Sequence, residues 1–323
     1  MANLTIIKFN VPRQDKTVQI LTSVQLIYGI PSLLFMLFFL FYLGISKSYV
    51  NSFYRLVQLD LLVNIFCYIN TWLAIRLENE YASVEFLDYV EHHIPNFMTI
   101  CKFFATWFFH MQVWSAGLLC VHRLSAVSST TNVDKFWAKR YYFFGILGFV
   151  YSSVLMIPYF INGHAVSVVN PNGTLYKIYD MDQVAFLRIS NAIAAIIYFL
   201  IILVLGICTA VSLTKQLRRV QINDREIAKR ITRIAITYCF IISGILFYNI
   251  IMGLEPFIRF LPAPYTQINN VFMVTASDLM TLALPYILII FDENVRKGLI
   301  GRVANNRLFV SSIIRSSFEN NNH

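Results

Sequence analysis

Three aspartates and asparagines stand where an apolar sequence should exclude them. Asp60 and Asn64 lie one helical turn apart in the run Arg55–Ile75, and Asp278 lies near the middle of Thr266–Phe291. A charge at bilayer depth costs roughly 2.5–3.5 kcal/mol on insertion scales, so such residues face protein and either clasp helices or bind a cation or proton. Both readings stay open from the residues alone. A second group is the pair His122-Arg123, which closes the apolar run Phe97–Leu124. An arginine at a helix end either snorkels to the interface or makes a switch contact. A third is Trp107, His110, Met111 and Trp114, which share adjacent strips of one helix at four-residue spacing. They form either an aromatic pocket wall with one titratable tip or ordinary helix packing. Tyr248, Asn249, Asn270 and Met273 stand at comparable depth in two later runs and are candidates for the same cavity.

The elements holding these residues follow from composition. Of 323 residues, 57% are hydrophobic and 13% charged, with mean hydropathy +0.61. Soluble domains carry about 25% charged residues, so most of this exterior faces lipid. A spanning helix needs about 20 apolar residues. The chain offers runs at Val24–Ser46, Arg55–Ile75, Phe97–Leu124, Tyr141–Phe160, Leu187–Leu213, Ile231–Leu254 and Thr266–Phe291. The fold class expected is an all-α membrane protein, a seven-transmembrane helix bundle over residues 24–291. Residues 1–23 form an extracellular N-terminus without a cleavable leader, so the first run acts as an uncleaved anchor. Residues 292–323 form a cytoplasmic amphipathic helix and tail, in which Val295, Leu299, Ile300 and Val303 alternate with Arg296, Lys297 and Arg302.

Orientation follows from Lys and Arg in the loops. The segments Lys47–Arg55, Arg123–Arg140, Lys215–Arg233 and Arg296–Arg315 hold more than twice as many as the opposite set, in which Arg76 is counted. The N-terminus is therefore expected outside. The sequons at Asn3 and Asn172 fall on that same side. So does the acidic stretch Glu78–Glu91, expected to be a solvated face. The net charge of +9 is explained by this topology, and no nucleic-acid module accompanies it. Pro31, Pro158 and Pro285 fall inside spans and each removes a backbone hydrogen bond. There is no GxSxG, HExxH or Walker loop, no metal-ligand spacing among the cysteines and histidines, and no internal repeat. An enzyme is not expected, nor a cofactor or metal.

At the level of motifs, the chain resembles the nematode serpentine chemoreceptors of class gamma. The residues that carry this are Tyr28-Gly29-Ile30-Pro31-Ser32, Asn51-Ser52-Phe53-Tyr54-Arg55-Leu56, His122-Arg123-Leu124-Ser125-Ala126-Val127 and Leu284-Pro285-Tyr286-Ile287-Leu288. The resemblance implies the G-protein-coupled receptor architecture. It also implies a small-molecule or pheromone-like ligand, a heterotrimeric G protein as partner, and a multi-pass place in the plasma membrane of chemosensory neurons. It makes His122, Arg123, Pro285 and Tyr286 signalling-switch candidates. The broader rhodopsin-like receptors carry an acidic residue before the arginine, where this chain has His122. Arg123 must then find its partner elsewhere, with Asp224 and Glu226 the nearest acids in the third inner loop. Those receptors also tie the third span to the second outer loop by a disulfide, but Ile161–Phe186 has no cysteine to meet Cys101. A seven-helix ligand-gated channel or transporter is the alternative reading, and a ligand-free scaffold the third.

Overall fold

The computed structural model describes the backbone of residues 4–8, 16–46, 49–77, 83–128, 133–161, 167–169, 175–217, 222–254 and 263–299. Asn3, Asn172 and residues 300–323 lie outside these, as do the side chains of Asp224, Glu226 and Asn270. Among the described residues, seven helices are long and apolar enough to cross a membrane: Ile20–Ile45, Ser52–Arg76, Phe97–Ala126, Val133–Tyr159, Ala185–Ser212, Ile236–Leu254 and Val271–Phe291. They are the first to seventh spans below. The architecture expected from the sequence is the one observed.

The helices overrun the apolar runs where charged residues flank them. The fifth extends over Met181–Leu217 and the sixth over Ile222–Leu254. Lys, Arg and Gln are good helix formers and continue a helix into the headgroup layer. The fourth starts at Val133 rather than Tyr141, with Asp134 in its first turn near the positive end of the helix dipole. It stops at Leu155 and restarts over Ile157–Ile161. Pro158 lacks an N–H, and its ring would press on the carbonyl one turn back. Pro31 and Pro285 are carried inside continuous helices.

The second span begins at Asn51, whose side chain accepts from Tyr54 N (3.2 Å). It ends in a π-helical turn over Trp72–Arg76, a feature that re-aims the side chains beyond it. The second, third and seventh spans each bury 56% of their most apolar window, the fourth only 17%. The former are the centre of the bundle, and the internal polar residues sit on them. Phe39, Leu43, Leu61, Leu246, Met280 and Leu288 fill the core between helices, while Phe41, Phe143, Ile146 and Phe240 face outward. Outward apolar side chains are what a lipid solvent selects.

Two features lie at the ends. A three-stranded antiparallel sheet joins β1 (Leu4–Lys8), β2 (Ser167–Val169) and β3 (Leu175–Asp180) in the order β1-β3-β2, with Leu4 opposite Asp180. It was not anticipated from the sequence, and it brings the N-terminal segment onto the connection between the fourth and fifth spans. At the other end, helical backbone resumes over 293–299. Asp292 caps it through Asn294 N (3.1 Å) and Val295 N (3.4 Å). Val295 is fully buried, and Lys297 pairs with Glu293 at 2.7 Å. Gly298 sits so close to the first span that a Cβ there would lie 2.4 Å from the Tyr49 hydroxyl and 2.5 Å from that of Tyr42. The absent side chain is what lets this turn dock.

One expectation is corrected. Glu91, read as part of a solvated acidic face, is 3% exposed. Its carboxylate accepts from Asn96 N (2.8 Å) and Met98 N (3.1 Å), satisfying free N–H groups where the third span begins. Asn96 itself has φ 66°, a region asparagine tolerates better than most residues.

Candidate functional site

Three polar layers lie inside the bundle, and the third span contributes side chains to two of them. The layer at its C-terminal end holds His122 and Arg123, 6% and 7% exposed, so Arg123 does not snorkel to water. Its guanidinium carbon lies 3.3 Å from the Phe53 ring centroid, a contact worth up to about 2 kcal/mol when desolvated. Its Nε has no hydrogen-bond partner among the described residues. Next along the second span, Tyr54 donates its hydroxyl proton to Asp292 Oδ2 (2.8 Å). His122 takes a different route. Ser52 donates to Asp134 Oδ1 through its hydroxyl (2.5 Å) and its backbone N–H (2.9 Å). The Ser52 proton being committed there, His122 Nε2, at 2.9 Å from Ser52 Oγ, is the donor in that contact. A carboxylate thus reaches the residue before the arginine after all, from the fourth span and through a serine. Trp137 closes this layer, its ring tilted against His122 and its Nε1 donating to Ser125 Oγ (2.9 Å).

The middle layer surrounds Asp60, which is fully buried. Its carboxylate accepts from Ser115 Oγ (2.5 Å), Tyr238 OH (2.8 Å) and Asn64 Nδ2 (2.9 Å). Gln112 extends the network, donating to Asn64 Oδ1 (2.6 Å) and Thr281 Oγ1 (3.1 Å). The second, third, sixth and seventh spans are therefore clasped through one carboxylate and one amide. The described residues contain no group of three or more His, Cys, Asp or Glu that could hold a metal ion.

Asp278 belongs to a separate layer. It pairs with Arg76, and Tyr28 donates to its other oxygen. Arg76 and Asp278 are 4% and 5% exposed, so Arg76 is a buried partner and not the loop charge it was counted as. The π-helical turn ending the second span swings it inward, over the rings of Trp72 (4.9 Å) and Tyr68 (5.1 Å). Ser32 links Tyr28 O (2.7 Å) to Tyr286 OH (2.9 Å). Tyr286, read beside Pro285 as a switch candidate, therefore contacts the first span. Among the described residues no hydrogen bond joins Asp60 to Asp278; the Asp60 layer reaches the seventh span through Gln112 and Thr281.

The aromatic candidates on the third span divide. Trp107 donates to Ser153 Oγ (3.1 Å), and Met111 packs with it against Met156 and Tyr159. Trp114 donates to Phe144 O (3.0 Å) and lies on Gly148, where a Cβ would stand 2.3 Å from its ring. These three face the fourth span. His110 turns to the fifth, its Nδ1 2.8 Å from Tyr198 OH, which in turn meets Tyr151 OH at 2.8 Å. The Tyr248 ring lies tilted beside Phe272 (6.3 Å), and Asn249 returns its amide to Ile245 O (2.9 Å). Met273 is half-buried. Cys101 is a buried free thiol whose carbonyl takes Asn70 Nδ2 (2.9 Å).

Reading residues in sequence missed Ser52, Asp134, Ser115, Gln112, Tyr238 and Arg76, which complete the three layers. Gln112 and Ser115 carried a usable signal, being polar and within one turn of each other in the middle of an apolar span. The others become visible only once the spans are placed side by side.

The chain as a whole is similar to a recognisable group of receptors. A family model described as "Srg family chemoreceptor" matches residues 22–299. Serpentine receptor class gamma-47 of Caenorhabditis elegans is 33% identical over 301 residues, covering 92% of this chain and 95% of that protein. Serpentine receptor class gamma-53 of the same organism is 26% identical over 282 residues, covering 85% and 90%. The match spans the whole bundle, with all three polar layers inside it, and the chain belongs to the Srg family of chemoreceptors.

Proposed function

We propose that this multi-pass chemoreceptor binds an external small molecule at the end of the bundle opposite Arg123 and signals to a heterotrimeric G protein at the Arg123 end. The observation that supports the reading best is the state of Arg123. It is buried, held by an aromatic face and short of one hydrogen bond, while the two carboxylates of its layer are already engaged through Tyr54 and Ser52. A buried donor without an acceptor costs about 1–3 kcal/mol, so an arrangement offering Arg123 a new partner competes with this one. A ligand that favours a second packing then exposes the arginine. His110, Tyr248, Asn249, Asn270 and Met273 are the proposed ligand contacts, with Trp107, Met111 and Trp114 holding the third span against the fourth behind them.

Arg123→Ala tests the coupling. Nucleotide exchange on a co-expressed heterotrimeric G protein, basal and with an odorant panel, is expected to fall at least tenfold while surface expression stays near normal. Arg123→Lys should recover part of it, because the charge remains but the flat guanidinium does not. Normal exchange in Arg123→Ala at normal expression would overturn the assignment. Ligand-evoked current without any G protein would favour the channel reading.

The proposed membrane is the plasma membrane of sensory neurons, with the N-terminus outside. Asn3 and Asn172 should then carry N-glycans, and Asn3→Gln with Asn172→Gln should remove the glycosidase-sensitive mobility shift. An epitope at residue 1 reached only after permeabilisation would reverse the orientation.

A further inference from the structure

The fifth and sixth spans pack against each other. Toward the Arg123 end, a crevice of about 320 Å³ opens sideways between them, at the lower end of small-ligand cavities. Ile202, Gly206 and Thr209 line it from the fifth span, Cys239 and Ser243 from the sixth, and Cys120 of the third forms its floor. Its rim is lipid-facing surface: Leu203, Ile207 and Phe240 are 47%, 55% and 81% exposed.

The chemistry of the lining is restrictive. Thr209 Oγ1 donates to Leu205 O (2.7 Å) and Ser243 Oγ donates to Cys239 O (2.8 Å). The Cys120 and Cys239 sulfurs face each other at 3.6 Å. Both hydroxyl protons are thus returned to the helix backbone, and the lining is dominated by aliphatic and aromatic carbon and soft sulfur. Such a space selects apolar matter by shape and stays dry. Gly206 makes the room, since a Cβ there would meet nothing within 4 Å. Glycine costs a helix interior about 1 kcal/mol relative to alanine, so it does not serve the helix itself. The volume equals on the order of ten waters at ~30 Å³ each. A second transmembrane helix, about 10–12 Å across, does not enter it, whereas one hydrocarbon chain does. The rim is continuous with the surface that bilayer chains already cover.

We propose that this crevice is a binding site for one acyl chain of a bilayer lipid, inserted between the fifth and sixth spans onto Cys120. The floor residue stands three positions before Arg123, on the adjacent turn of the same helix. An inserted chain therefore props the sixth span beside the residue assigned to coupling.

The test uses the full chain purified into nanodiscs of phosphatidylcholine that carries a photoactivatable diazirine in one acyl chain, followed by peptide mapping. Labelling of 199–210 and 236–243 is expected to exceed that of the ordinary lipid-facing stretch 143–150 several-fold. Gly206→Leu, which fills the crevice, should bring it down to the level of 143–150. Gly44→Leu places the same side chain on another glycine with nothing within 4 Å, and should leave the labelling unchanged; thermal unfolding of both variants checks that they are folded. Equal labelling of all three stretches, crosslinks between two copies of the chain at these peptides, or undiminished labelling in folded Gly206→Leu would each overturn the proposal. The readout does not depend on signalling, so it stands or falls apart from the G-protein assignment.

Discussion

Arg76→Ala and Asp278→Ala are each expected to destabilise the receptor by about 3–5 kcal/mol, and the double replacement by clearly less than their sum. Each single change leaves one full charge buried with no counter-ion, since the two residues are 4% and 5% exposed. Removing both leaves a neutral layer, in which Tyr28 loses its acceptor and the rings of Tyr68 and Trp72 lose a cation. Arg76→Lys is not expected to be mild. An ammonium is a compact, strongly hydrated charge, and it cannot lie flat on two rings while reaching a carboxylate. Thermal unfolding of the four proteins in one detergent gives the double-mutant cycle. Additivity to within about 0.5 kcal/mol would mean that the pair is not coupled, and that the buried ion pair is not what joins the first, second and seventh spans.

This ion pair also shows where sequence reading stops. The spans were legible because a bilayer demands about 20 apolar residues in a row, and that demand is one-dimensional. Asp60, Asn64 and Asp278 were legible as inward-facing for the same reason. Their partners were not, because each partner comes from a different span. Arg76 ended an apolar run and looked like a loop charge; only the π-helical turn over Trp72–Arg76 brings it inside, and nothing in the composition of Trp-Leu-Ala-Ile-Arg announces that turn. Asp134 had the same fate. It preceded the fourth apolar run, yet the helix starts at Val133 and delivers its carboxylate to Ser52.

Faces were harder still. In water, an amphipathic stripe tells inside from outside. Here lipid and core are both apolar, so Trp107, Met111 and Trp114 carried no mark of which neighbour they meet. The structure sets them against the fourth span, and the cue for Trp114 lay across the interface, in Gly148. The seven spans and the polar residues at their centre were thus readable, while the pairing that makes them layers was not. The short β1 strand was beyond reach for a related reason: its partner β3 is more than 150 residues away in the chain.

Asp60→Ala is expected to be the other severe change, costing about 3 kcal/mol or more. The hydroxyls of Ser115 and Tyr238 and the amide of Asn64 all donate to this one carboxylate. Each donor left buried without an acceptor costs about 1–3 kcal/mol, less whatever a water entering the emptied volume restores. Asp60→Asn should cost less, because the size is kept and one acceptor oxygen remains. Tyr238→Phe should cost least, about 1 kcal/mol for a single hydrogen bond. The order also has a functional reading, because Tyr238 is the sixth span's contribution to the clasp. In Tyr238→Phe the second and third spans keep their bonds through Asp60, Asn64 and Ser115, and only the sixth is released. Basal G-protein activation should therefore rise in Tyr238→Phe at nearly unchanged stability, whereas Asp60→Ala should lose folded receptor from the surface. If Asp60→Ala unfolds at the wild-type temperature, the carboxylate is not the node of this layer. If Tyr238→Phe is silent in signalling while folded, the tie it makes does not restrain the sixth span.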